Sequence, residues 1–161
     1  MEEARKQRYF SKEEALIKAR KYCAYQERSH QEVRTKLLNL GQRGAELEQI
    51  ISKLIEENFL NEERFAIAFT LGKFRIKKWG KVKIERELKF RKVSNYCIAK
   101  AIGAIEQNDY EKTLKSVLLK KWNAVKAENN FVRKNKTAQY LMSRGFESEM
   151  IWIELNAQNE N

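Results

Sequence analysis

Ten basic side chains crowd into the twenty residues 73–92: Lys73, Arg75, Lys77, Lys78, Lys81, Lys83, Arg86, Lys89, Arg91 and Lys92. Only two acids, Glu85 and Glu87, stand among them, so this stretch holds +8 of the chain's net charge of +11. Residues 1–72 carry 13 Lys or Arg against 12 Asp or Glu, and residues 93–161 carry 10 against 8. A charge run is ordinarily a solvated face. An excess confined between nearly balanced flanks reads instead as a footprint for a polyanion or an acidic protein surface. Phe74, Trp79 and Phe90 interleave the cations, and Trp79 is the aromatic to test for stacking on a base. Binding through phosphates would weaken with salt, with a slope of about −0.7 to −0.9 per phosphate contacted.

Bond-making chemistry has no comparable signal. The chain holds one histidine, His30, directly after Ser29, where an exposed first-turn residue is expected. Glu56/Glu57 and Glu62/Glu63 are paired carboxylates, but they flank a turn and read as solvated or cap-related. Gly80-Lys81 lacks both the hydroxyl and the glycine spacing of a phosphate-binding loop. No nucleophile, base and orienting group can be assembled, so no catalytic residue, metal or cofactor is expected. Cys23 and Cys97 lie far apart among apolar positions and read as reduced, buried thiols of a cytoplasmic protein. Residues 1–8 are charged without an apolar stretch behind them, and the longest apolar runs are a few residues, so neither a secretory leader nor a membrane span is expected.

The elements that must carry these side chains are helices. There is no proline in 161 residues, Gly totals 6, and charged residues make up 34% of the chain. A period then appears. With Gly41, Lys92 and Gly145 as anchors, 51 and 53 residues apart, apolar positions recur at fixed offsets. Four residues before each anchor stands Leu37, Leu88 or Leu141; six after, Leu47, Ile98 or Ile151; ten after, Ile51, Ile102 or Leu155; eight before, Val33, Ile84 or Thr137. Leu47, Ile50, Ile51, Leu54 and Ile55 form one helical stripe.

Each unit therefore predicts a long helix (12–27, 62–78, 110–128), a short one (29–40, 80–91, 133–144) and a third beyond the anchor. Ser11 with Glu14 and Ser29 with Glu32 are capping boxes, and Asn61 and Asp109 are further cap candidates. Leu60 and Phe65 occupy the two positions of a hydrophobic staple. Gly41 and Gly145 suit left-handed helix ends, and residues 156–161 look frayed. The expected fold is all-α: three tandem repeats of a three-helix unit, 11–60, 61–108 and 109–157, stacked into an elongated, curved array. In the third repeat, Lys120, Lys121, Lys126, Arg133, Lys134 and Lys136 either extend the basic strip or form a solvated linker, and the linker carries slightly more weight.

Three runs carry a resemblance. They are Leu60-Asn61-Glu62-Glu63-Arg64-Phe65-Ala66, the helix marked by Gly80, Ile84 and Leu88, and Arg144-Gly145-Phe146 near the end. In this order and at these distances the chain resembles the RecX family of bacterial recombinase regulators, over about residues 12–155. Ser29, Glu32 and Leu37 fit the family's opening region loosely, with Val33 where Leu is common. Asn61 replaces an acid, Lys81 stands where proline is frequent, and Lys92 replaces a glycine. The resemblance implies a monomeric negative regulator of homologous recombination that lies in the groove of the RecA–DNA filament. There it would limit filament extension, strand exchange and ATP hydrolysis, with weak electrostatic contact to DNA. Resemblance and charge together nominate Arg64, Lys73, Arg75, Lys77, Lys78, Lys83, Arg86, Lys89, Arg91 and Arg144 as partner or nucleic-acid contacts. The alternative is a direct DNA- or RNA-binding module that inserts the helix at 80–91 into a groove.

Overall fold

The computed structural model describes residues 9–158, which form nine α-helices and no strand. They are α1 Lys12–Tyr25, α2 His30–Asn39, α3 Gly44–Glu56, α4 Glu62–Lys77, α5 Lys81–Phe90, α6 Asn95–Gly103, α7 Gln107–Ala124, α8 Asn130–Ser143 and α9 Ser148–Gln158. Three successive triplets give the all-α array of three-helix repeats. Residues 1–8 and 159–161, with the leaderless N-terminus and part of the frayed end expected from sequence, lie outside the described residues. Residues 156–158 belong to α9 rather than to a frayed end.

Side chains cap the helix starts where a short polar residue is available. Ser11 Oγ accepts from the Glu14 N–H at 3.2 Å, Ser29 Oγ from Glu32 at 3.1 Å and Asn61 Oδ1 from Arg64 at 2.9 Å. Ser94 and Asn129 do the same for α6 and α8. Asp109 is not a cap: α7 begins at Gln107, with Glu106 in the cap position, and Asp109 falls in the first turn, where its charge suits the helix dipole.

The period is written in the backbone. The anchors Gly41, Lys92 and Gly145 are all left-handed, with φ of 87°, 59° and 95°. Beyond each anchor the next N–H turns back onto the leucine four residues before it. Gln42 donates to the Leu37 carbonyl at 3.0 Å, Val93 to Leu88 at 3.1 Å and Phe146 to Leu141 at 3.1 Å. Those three leucines are fully buried, as are Val33, Ile84 and Thr137 four residues earlier. One helix-ending motif thus sends the chain from the second to the third helix in every triplet. Ile55 departs from the expected stripe: it is 46% exposed, because it sits at the last turn of α3, beyond the packed face.

The core is divided unevenly. Ala15, Ala19, Cys23, Val33, Leu37, Leu47, Ile50, Ile51, Leu54 and Leu60 pack together in the first triplet. A second, continuous cluster runs from Phe65 through Ile84, Leu88, Tyr110 and Leu114 to Leu141, Phe146 and Leu155. The second and third triplets therefore share one core, and the first has its own. Leu60 belongs to one and Phe65 to the other, so the expected staple does not close between them: each is claimed by its own triplet. Both cysteines are free and buried, and burial pushes the Cys23 thiol up.

Two tests address this local geometry. Lys92 is an L-residue held at positive φ, which costs about 1–2 kcal/mol that glycine avoids. Lys92→Gly is expected to raise the urea-unfolding free energy by about 1 kcal/mol after the loss of unfolded-state restriction; an unchanged or lower value would show that the turn is unstrained. Glu62, at the first turn of α4, accepts a hydrogen bond from the Ser94 N–H at 2.5 Å. Burial raises its carboxyl pKa, but hydrogen bonding from Ser94 and the nearby His30 outweigh this, and the net shift is downward. The stability it contributes is present at neutral pH and is lost as pH falls through the lowered folded value. Urea titrations from about pH 6 to pH 3 should show the gap between the native chain and Glu62→Gln closing with acid.

Candidate partner-binding surface

The basic run covers the second half of α4, a turn at Lys78, the whole of α5 and the left-handed exit at Lys92. Lys78 is itself left-handed, with φ of 56°, and breaks α4 so that α5 can double back. Gly80, in the cap position of α5, offers no side chain to the first amides of that helix. Backbone and side chain from the third triplet take their place. The Gly80 N–H donates to the Arg144 carbonyl at 2.8 Å, Val82 to the Gly145 carbonyl at 2.9 Å, and Lys81 to Tyr110 Oη at 3.0 Å. The carbonyl end of α8 thus plugs into the amide end of α5, which satisfies orphan groups of both helices and sets their dipoles head to tail.

Tyr110 is completely buried, and its hydroxyl donates to a Glu147 carboxylate oxygen. Burial first, and then that hydrogen bond, push its ionisation far above the ordinary tyrosine value. Its ring lies 5.9 Å from Phe74 and 5.6 Å from Phe146, joining α4 to the turn after α8. The approach of the two backbones is what makes both glycines necessary. A Cβ on Gly80 would lie 2.3 Å from the carbonyl carbon and oxygen of Gly145, and one on Gly145 would lie 2.2 Å from Lys83 Cβ. Two of the three runs that carry the resemblance therefore meet as an internal joint.

The third run is also a joint. Arg64 Nε donates to Glu27 of the first triplet, and its other nitrogens reach Asn58 Oδ1 at 3.1 Å and the carbonyls of Asn58 and Phe59 at 3.0 and 3.3 Å. Asn58 supplies the left-handed turn, with φ of 63°. Arg144 likewise faces inward: it donates to the Lys77 carbonyl, and its buried Nε has no partner among the described residues. Neither arginine is a free surface cation.

The remaining nominated residues divide by what neutralises them. Lys89 pairs with Glu85 at 3.1 Å, and Arg91 pairs with Glu87 at 2.9 Å while lying 4.7 Å from the centre of the Phe69 ring. The ammonium groups of Lys73 and Lys83 lie 5.0 and 4.3 Å from the Trp79 ring, so this half-buried indole is already engaged by cations. Arg75, Lys77, Lys78 and Arg86 are exposed, and among the described residues no ion pair involves any of them. Lys92, outside the nominated set, is likewise exposed and without an ion pair among the described residues. His30 is half-buried rather than exposed, next to Glu62. Among the described residues no group of His, Cys, Asp and Glu could hold a metal ion, and no helix is long and apolar enough to cross a membrane.

A second basic concavity, formed by the end of α4 with α7 and α8, gathers Lys120 and Lys121 of the third-repeat cations with Lys112, which sequence reasoning had not singled out. Its signal was present: Lys112 and Lys120 stand eight residues apart on one helix face, with Ser116 midway. Arg133, in the same part of the chain, is not part of it; its guanidinium donates to the Trp122 carbonyl at 2.9 and 2.7 Å and covers the Trp122 ring.

Family models described as "RecX, second three-helix domain" and "RecX, third three-helix domain" match residues 61–102 and 109–153. The regulatory protein RecX of Prosthecochloris aestuarii (strain DSM 271 / SK 413) is 31% identical over 137 residues, covering 85% of this chain and 88% of that protein. That of Herminiimonas arsenicoxydans is 27% identical over 153 residues, covering 94% of this chain and 98% of that protein. The Bacillus cereus (strain G9842) protein is 24% identical over 144 residues, and there the chain spans about half of its relative, 52%. The crystal structure of RecX from Lactobacillus salivarius superimposes with a TM-score of 0.83 at 20% identity, covering 93% of this chain and 97% of that one, which is a likeness of fold.

The glycine joint generates a stability prediction. Gly80 has an ordinary φ of −77°, so alanine there is strained only by the contact with Gly145. Gly80→Ala should cost about 1–3 kcal/mol in urea unfolding, as over-packing does. Amide exchange at Gly80 and Val82 should accelerate with it. Wild-type stability together with wild-type exchange would mean that the joint tolerates a methyl group.

Proposed function

The chain belongs to the RecX family, and from that we propose that it is a negative regulator of homologous recombination, acting by binding the RecA–DNA filament along its helical groove. Lodged there it limits filament extension, and with it strand exchange and ATP hydrolysis. It works by occupancy, without catalysis and without a cofactor, as a cytoplasmic monomer. The units 11–60, 61–108 and 109–157 are the pieces that span neighbouring recombinase subunits.

The observation that carries this reading, beside the family, is the shape of the charge. Arg75, Lys77, Lys78 and Arg86 are exposed, carry no ion pair among the described residues and stand on a helical array in which two triplets share a core. A stiff body with cations held away from their own carboxylates suits a groove bordered by protein and phosphate. Direct reading of DNA by the helix at 80–91 has less support. A recognition helix presents its N-terminal residues to base edges, and in α5 the amides of that turn are occupied by Gly145 and Tyr110.

The test is growth of recombinase filaments on single-stranded DNA at stoichiometric amounts of this protein. Slower extension and reduced ATP hydrolysis are expected, and growth indistinguishable from the control would refute the proposal. Reversing Arg75, Lys77 and Arg86 to Glu should weaken co-sedimentation with preassembled filaments by about tenfold or more while the helical circular dichroism signal is kept.

A further inference from the structure

The two joints of the array occupy equivalent places in the repeat but are closed to different degrees. Ser29 stands twelve residues before Gly41, as Gly80 stands before Lys92, so the first joint has Ser29 and Lys92 where the second has Gly80 and Gly145. Serine and lysine carry the Cβ atoms for which the glycine joint has no room. Among the described residues no backbone hydrogen bond joins the amide end of α2 to the exit at Lys92, whereas the Gly80 and Val82 amides both reach the end of α8. A cleft stands at the first joint instead. One part, of 560 Å³, is lined by Tyr22, Ser29, Glu32 and Thr35 of the first triplet and by Phe90 and Arg91 at the end of α5. The adjoining part, of 440 Å³, shares Glu32 and Arg91 and lies between Gln26 and Glu27 of the first triplet and α4 of the second.

The walls of this cleft complement each other. The first triplet contributes the carboxylates Glu27 and Glu32, and the second contributes Lys73, Lys77 and Arg91. Neither set is fully spent. One Glu27 carboxylate oxygen has no hydrogen-bond partner among the described residues, Glu32 meets Arg28 at a long 3.8 Å, and Lys77 is exposed without an ion pair. Apolar surface is left over as well. Ile76 and Phe90 are each 78% exposed, and they line the two parts of the cleft from the side of the second triplet. Single exposed apolar side chains are ordinary. Two of them on one cleft, beside unlike charges on its facing walls, are what a closing contact needs. The first and second triplets also hold separate apolar cores, so turning one against the other breaks no shared interior.

We propose that the first triplet is a jaw that closes on α4 and α5, pivoting at the Arg64 joint. The structure is the open form. Closure buries Ile76 and Phe90 against the first triplet and brings Glu32 onto Lys77. Hinge closure needs only a few residues at the pivot to change, and the left-handed Asn58 beside Arg64 marks the place. The device is autoinhibitory. Lys77 is one of the exposed, unpaired cations nominated for partner contact, and the closed jaw spends it on Glu32. A partner that takes Lys77 therefore holds the jaw open, and closure competes with that partner. The closing contact follows from packing and charge alone, whatever the partner is.

The experiment is double electron–electron resonance on the full chain, with spin labels at Asn39→Cys in α2 and Arg86→Cys in α5. Both positions are exposed, on the two sides of the cleft, and Cys23 and Cys97 are buried away from the label. Two distance populations are expected, the shorter being the closed jaw. Ile76→Ser/Phe90→Ser removes only exposed side chains, so the open fold is kept, and should lower the ratio of short to long distances about tenfold or more. Glu32→Lys and Lys77→Glu should each lower it about threefold, and the double exchange should return it to within about twofold of the native chain, which a general loss of folding would not do. Distributions that neither the serine pair nor the reversals alter would overturn the proposal, whether they hold one distance or two. So would a double exchange no closer to the native chain than either single reversal. Because the measurement holds no recombinase, its failure leaves the filament proposal standing, and failure of the filament assay leaves this one standing.

Discussion

Gly80 and Gly145 lie backbone against backbone, and most of the structure's asymmetry depends on that contact. With no Cβ on either residue, the carbonyl end of α8 reaches the amide end of α5, and three N–H groups find partners in the third triplet. Orphan amides and carbonyls at helix termini must be satisfied somewhere. Here two termini satisfy each other, beside a buried tyrosine that supplies the remaining acceptor. Phe74, Tyr110 and Phe146 then extend the joint into the core, so that six helices share one apolar interior.

The junction of the first and second triplets is built from different material. Arg64 is its centre, reaching Glu27 across the junction and the turn at Asn58 below it. Hydrogen bonds and an ion pair do there what close-packed backbone and aromatic rings do at the other joint. Such contacts are weakened by salt and by competing water, whereas apolar burial is not. The same repeat is therefore fused on one side and polar-linked on the other. Two units thus share one apolar core, and the remaining one is attached to them differently.

Charge follows the same architecture. Excess basic residues in sequence do not equal available charge in space. Lys89 and Arg91 are answered by Glu85 and Glu87 one turn earlier, and Lys73 and Lys83 lie over Trp79. What stays free is a smaller set on the outer side of α4 and α5, together with a hollow in the third triplet where no carboxylate intervenes. Helix packing, by deciding which faces meet, decides which cations keep their field.

The sequence by itself determined the helices and their grouping in threes, but placed the turn between α7 and α8 at 129–132, whereas α7 ends at Ala124 and α8 begins at Asn130. These follow from local rules: apolar spacing, cap residues and the left-handed exits at Gly41 and Gly145 are all read from neighbours within a few residues, while the matching exit at Lys92 shows only in the backbone. Its errors were local as well. Asp109 competed with Glu106 for the start of α7, and Ile55 fitted the stripe but fell beyond the packed face. Only the tertiary structure decided what the motifs are for. Arg64, Gly80, Arg144 and Gly145 act between triplets that are up to 67 residues apart in sequence, as from Lys77 to Arg144. No periodicity reports which helix end will meet which. The basic hollow of the third triplet was hidden for the same reason: Lys78 and Arg144 join Lys112 and Lys120 only once α4, α7 and α8 have packed.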